Sequence, residues 1–176
     1  PGFLFDHPDV RKELALYYSS VRRADDAVGA ILQALENSGH ADDTIVMFLS
    51  DHGMPLPFAK TQLYHHSTWT PWIIRWPGVT KAGSVNNRDM ISAVDMLPTM
   101  LQMAGIESPA GLDGASFVPV IKGQKQQGRD AVFKVYNENA GGNRHPIRGL
   151  QTRTHLYLFN PWSDGTNIFK TATNGT

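Results

Sequence analysis

An α/β fold is predicted by three observations. A long amphipathic stretch, Val10, Leu14, Tyr17, Val21, Ala24, Val28, Ile31 and Leu35, repeats at spacings of four and three, as one face of a helix does. A continuous apolar run, Ile45 to Leu49, follows it and is bounded by Asp42-Asp43 and Gly53, as for a central parallel strand covered on both faces. A loop, a second apolar segment over Trp72 to Trp76 and a helical pattern over Val94 to Ala104 complete an alternation of helix and strand.

Pro8 suits the first turn of the opening helix, and Gly39 suits its C-terminal cap. From about residue 108 the texture changes to Gly, Pro and polar loops, with short strands over Ala131 to Tyr136 and Ile147 to Phe159. We therefore divide the chain at residues 1–107 and 108–176, and read Ser163 to Thr176 as a frayed end.

Formal charge is zero, from 16 basic and 16 acidic residues, so no electrostatic argument favours nucleic acid or an anionic membrane as a partner. No apolar run is long enough to span a bilayer and no signal-like N-terminus is present. With no cysteine, disulfides and thiol catalysis are excluded.

Chemistry concentrates at Asp51-His52-Gly53, where the apolar strand ends. Ligands of open α/β sheets bind beyond the carboxyl ends of strands. Asp51 offers a hard anionic oxygen and His52 an imidazole nitrogen, a pair that suits a divalent cation, and Gly53 allows a tight turn beside it. From the tripeptide alone a second reading stands: Asp51 caps a turn and His52 is an ordinary loop residue.

The residues that follow resolve this. SDHGMPLPFAK (Ser50 to Lys60), TQLY (Thr61 to Tyr64) and TPWIIRWPG (Thr70 to Gly78) together resemble the sulfatase family of the alkaline phosphatase superfamily, most closely its sulfamidase-like members. Val94 to Ile106 is similar to the family's VDxxPTxxxxAG helix, and Gly111 to Phe117 to its GxxGxSL segment. Pro146 to Thr152 and Leu156 to Asn160 look like the strands that begin its small C-terminal sheet.

The resemblance implies part of an alkaline-phosphatase-like mixed sheet flanked by helices, with the start of a small C-terminal antiparallel sheet. It implies that Asp51 and His52 ligate a divalent metal, calcium first with zinc or magnesium as alternatives. Lys60, nine residues after Asp51, would contact the sulfate group as a catalytic and substrate-binding residue. Sulfated carbohydrates or aryl sulfates are the implied substrates, and a periplasmic or secreted location is compatible with it.

Departures from the family pattern are equally informative. Sulfatases use a formylglycine made within a Cys/Ser-x-Pro/Ala-x-Arg motif, which this sequence lacks: Ser19 to Arg23 has no proline or small residue at the third position, and Ser108 to Leu112 has no arginine. Asp25-Asp26 lies within the long helix and Asp42-Asp43 in the turn before the strand, so both read as solvated or capping carboxylates rather than metal ligands. The chain reads as the C-terminal part of a sulfatase.

After Tyr64, where family members often carry Glu-Gly-Gly, stand His65, His66 and Ser67. Either imidazole could bind substrate or a transition metal, or be a surface loop residue. His145 is a further candidate substrate contact in the C-terminal region. Trp72, Arg75 and Trp76 are expected to pack or pair structurally, and Asp95 to cap its helix. Two other functions remain open: a metal-dependent phosphodiesterase or phosphatase of the same superfamily, and a noncatalytic module. Either a fragment or a module would expose strand edges and apolar faces, so a homo-oligomer is expected.

Overall fold

Pro8 opens the first helix, α1 (Pro8–Asn37), because its missing N–H costs nothing at that position, and the His7 side chain accepts from the Asp9 amide. At the other end Ser38 caps the helix and Gly39, at φ +76°, takes the left-handed turn that ends it. The computed structural model describes residues 4–138 and 144–166. Of the expected frayed end, residues 167–176 lie outside the described residues.

Strand β1 (Val46–Leu49) leads to the loop that carries the candidate site, then to the one-turn helix α2 (His65–Thr68) and strand β2 (Trp72–Arg75). A 3-10 turn (Ala93–Asp95) runs into α3 (Met96–Met103), and α4 (Val118–Ile121) follows. The chain then forms a meander of β3 (Val132–Glu138), β4 (Arg144–Gln151) and β5 (Leu156–Phe159), all antiparallel.

The parallel, doubly covered strand expected at Ile45 to Leu49 is corrected by the structure. β1 pairs antiparallel with β2, Val46 opposite Arg75 and Phe48 opposite Ile73, and no other strand joins this sheet among the described residues. One face packs, with the Trp72 ring edge-on to Phe117 at 5.0 Å. On the other face Phe48 and Ile73 stay 41% and 62% exposed. Two-sided apolarity was read as two-sided burial, but the described residues supply only one covering layer.

That open face lines a cleft of roughly 760 Å³ shared with Tyr17, Val28 and Leu32 of α1. No residue of α1 is fully buried, and the expected face is adjusted in one place: Ile31 is 67% exposed while Leu32 faces the cleft. No described helix is long and apolar enough to cross a membrane.

A polar joint holds the remainder. Asp95, 1% exposed, accepts from the Ser92 and Ala115 amides and from Arg129 Nη2 at 2.6 Å, so the expected cap is also a buried ion pair. Thr99 Oγ1 donates to the Asp95 carbonyl and accepts from the Phe117 amide. Met90 and Gln126 exchange backbone and side-chain hydrogen bonds across the same region. Arg75 donates to the Ala41 carbonyl at 3.0 Å and pairs with Glu36, and Lys122 sits over the Trp76 ring, so these residues are structural as expected.

Candidate active site

The site loop is built on a close crossing of backbone. The Gly53 amide donates to the Ser67 carbonyl at 3.0 Å, and a Cβ at Gly53 would overlap the His66 carbonyl and lie 2.6 Å from the Ala59 carbonyl oxygen. Only glycine permits this approach, a firmer reason than the tight turn inferred from sequence. Ala59 is fully buried there. Phe58 and Thr61, at φ 63° and 57°, hold the left-handed conformation on either side of Lys60. Such backbone in bulky and β-branched residues costs on the order of 1–3 kcal/mol each and clusters at functional sites.

Asp51 and His52 lie side by side at the strand exit. His52 Nε2 lies 3.5 Å from Asp51 Oδ2, and Asp51 Oδ1 accepts from the His52 amide at 2.9 Å. His52 Nδ1 is 2.7 Å from the Gly53 carbonyl oxygen. A carbonyl only accepts, so Nδ1 carries a proton, and in the neutral ring that leaves the Nε2 lone pair as the atom a metal would use. The donor set fits a divalent ion in kind and falls short in number: no cluster of three or more His, Cys, Asp or Glu occurs among the described residues. Calcium takes six to eight oxygens, so the remaining donors of such a site would come from elsewhere.

Lys60 is half-buried between the two strained residues, and its ammonium has no ion pair among the described residues. His66 faces the cleft beside His52, Gly53 and Ala59. His65 stacks on Trp69 at 5.0 Å, meets the His66 ring edge-on at 5.8 Å and feels the charge of Lys134. His145, half-buried on β4, packs edge-on to Trp162 at 5.1 Å. The described contacts therefore join Asp51 with His52, and His66 with His65; His66 shares the cleft with His52, while His145 belongs to other surroundings. As read from the sequence, Asp25, Asp26, Asp42 and Asp43 are exposed.

Sequence reasoning missed Lys134. It is half-buried on β3, on the face shared with Val132 and Tyr136, and donates to Thr68 Oγ1 at 2.6 Å and Gln151 Oε1 at 3.1 Å. Burial lowers its pKa. The available signal was alternation: Lys134 occupies an inward position of a strand whose outward residues are Phe133 and Val135.

Desolvation, then the charges of Lys134 and His66, push the His65 imidazole below its ordinary 6.5, with the Gln151 hydrogen bond opposing them. The unfolded chain therefore binds this proton first, and stability falls as pH drops below 6.5 until the folded value is passed. The expected result is a His65 resonance titrating below 6.5 in NMR spectra, and a midpoint at or above it would contradict the desolvated geometry.

Comparison with known proteins identifies the relatives of this arrangement. A family model described as Sulfatase matches residues 5–106. The chain belongs to the sulfatase family. An ulvan-active sulfatase of Formosa agariphila is 31% identical over 155 residues, covering 84% of this chain and 30% of that protein. The human N-sulphoglucosamine sulphohydrolase is 30% identical over 169 residues, covering 91% of this chain and 33% of that protein. Among solved structures, a protein in complex with its substrate D-glucosamine-2-N,6-O-disulfate superposes with a TM-score of 0.67 at 28% identity, over 82% of this chain and 33% of that one. The fold is thus the alkaline-phosphatase-like α/β fold expected from the sequence. This sulfatase chain spans about a third of the length of the relatives it matches.

Proposed function

We propose that these residues form the downstream part of a sulfatase active site that hydrolyses sulfate esters or sulfamates of sugars. The observation that carries this reading is the convergence of Asp51 Oδ2 and His52 Nε2 at a strand end, with His52 Nδ1 tied to the Gly53 carbonyl. Asp51 and His52 would hold a divalent ion, calcium before zinc or magnesium. When bound, such an ion supplies Lewis-acid polarisation of sulfate oxygens.

Lys60 would place its ammonium against a sulfate oxygen and offset charge that grows as the ester bond breaks. Its strained neighbours, Phe58 and Thr61, fix the direction in which the side chain leaves the backbone. His66, on the cleft side of α2, would contact the sugar. The sequence has no cysteine and no serine in the formylglycine motif, so the attacking nucleophile of this reading lies outside these 176 residues. Relatives that act on ulvan and on N-sulphoglucosamine support a sulfated sugar as the substrate class.

Calcium titration of the purified chain, beside Asp51→Ala, tests the metal half of the proposal. Weak binding is expected from a two-donor site, with no measurable heat in the variant. Turnover of an aryl sulfate and of a bis-aryl phosphate is measured on the same samples. Zinc preferred over calcium, together with phosphodiester turnover that Asp51→Ala abolishes, would replace the sulfatase reading with a phosphodiesterase.

A further inference from the structure

Lys134 presents a physical problem that its neighbours do not solve. Its ammonium has three donors, and both of its partners, Thr68 Oγ1 at 2.6 Å and Gln151 Oε1 at 3.1 Å, are neutral. No carboxylate lies within ion-pair distance of it among the described residues. A half-buried cation without a counter-charge is costly, and an anion that arrives there removes the cost.

Beside this cation stands an aromatic platform. Trp69 is 72% exposed, the His65 ring lies nearly parallel to it, at 21° and 5.0 Å, and Thr68, which accepts from Lys134, precedes it in the chain. An exposed aromatic face next to a partly desolvated ammonium suits a ligand with one apolar face and one anionic substituent, which describes a charged pyranose. The platform is continuous with the site already described, because Trp69 also borders the cleft shared by His52 and His66. Gly149 makes room for this packing: a Cβ there would lie 3.3 Å from the Lys134 Cβ and 3.6 Å from Leu63, three residues past Lys60.

We propose that Lys134, Thr68, Gln151 and His65, with Trp69 as the stacking surface, form a second anion subsite that binds a sulfate or carboxylate group of a charged sugar. This deepens the sulfatase reading and rests on it for the sugar class. The subsite would hold a neighbouring charged group of the substrate rather than the sulfate that is cleaved, and so favour saccharides with more than one anionic group.

The test is an NMR titration of the full chain in EDTA at fixed ionic strength, with glucosamine 6-sulfate, glucuronate and glucosamine as the probes. Excluding divalent ions separates this subsite from the Asp51–His52 site, so failure of the metal reading cannot mimic failure here. Saturable shifts at His65 and Trp69 are expected with the anionic sugars and not with glucosamine, and the two charged probes distinguish sulfate from carboxylate. Lys134→Gln, which can keep the Thr68 hydrogen bond without the charge, is expected to weaken binding at least tenfold with an unchanged melting temperature. Trp69→Ala removes an exposed ring and supplies the same comparison should Lys134→Gln fail to fold. Unchanged affinity in the folded variants, shifts confined to the Lys60 loop, or no shift with any charged probe would overturn the proposal and leave Lys134 as a fastener between α2 and β3.

Discussion

Asp95→Ala is expected to lose about 3–5 kcal/mol of stability, the range seen when one partner of a buried ion pair is removed. The carboxylate is 1% exposed, and it joins three parts of the chain: the Ser92 turn, the Ala115 loop and Arg129. Truncation leaves two amides without their acceptor and strands the Arg129 guanidinium, whose side chain is only 17% exposed. Guanidinium unfolding followed by tryptophan fluorescence reads the loss, with Trp72 against Phe117 reporting on this region. A loss below about 1 kcal/mol, the scale of a solvent-exposed pair, would mean that the joint is not closed in solution.

Gly53→Ala is the second large effect, and it reaches both stability and metal binding. The added methyl meets backbone, the His66 and Ala59 carbonyls, and not the end of a flexible side chain. Relief therefore requires the strand-exit loop and α2 to separate, which breaks the Gly53–Ser67 hydrogen bond. We expect about 3 kcal/mol of destabilisation, the upper end for overpacking. Movement of Gly53 also displaces the carbonyl that orients His52 Nδ1, so calcium binding should weaken in any fraction that remains folded. Denaturation and calcium titration of the same variant check the two parts. Wild-type behaviour in both would show that the crossing is looser than the geometry implies.

Much of the site was legible because it is local. Asp51, His52 and Gly53 are neighbours at one strand exit, where the order of residue types already places their atoms together, whereas Lys60 was picked out by the resemblance to sulfatases. The α1 boundaries were legible for the same reason, since Pro8 and Gly39 act on their own turn. The Asp95 cap was read correctly, but Arg129, 34 residues away, left no mark in the sequence near it. Lys134 escaped because its partners come from α2 and β4 and because a lone lysine in a strand ordinarily reads as solvated. The strand at Ile45 was misread for a different reason: apolarity reports what a surface is suited to touch, and the described residues touch it on one side only.

The unsealed face of α1 bears on how any unfolding curve of this chain should be read. Its 30 residues hold most of the helix among the described residues, yet none is fully buried, so little tertiary packing supports them. Helices that depend mainly on their own propensity are marginal in water and melt gradually. Circular dichroism would then follow the fraying of α1, while fluorescence would follow the cooperative release of the Asp95 joint. Their midpoints should differ, and a single unfolding free energy would not describe both.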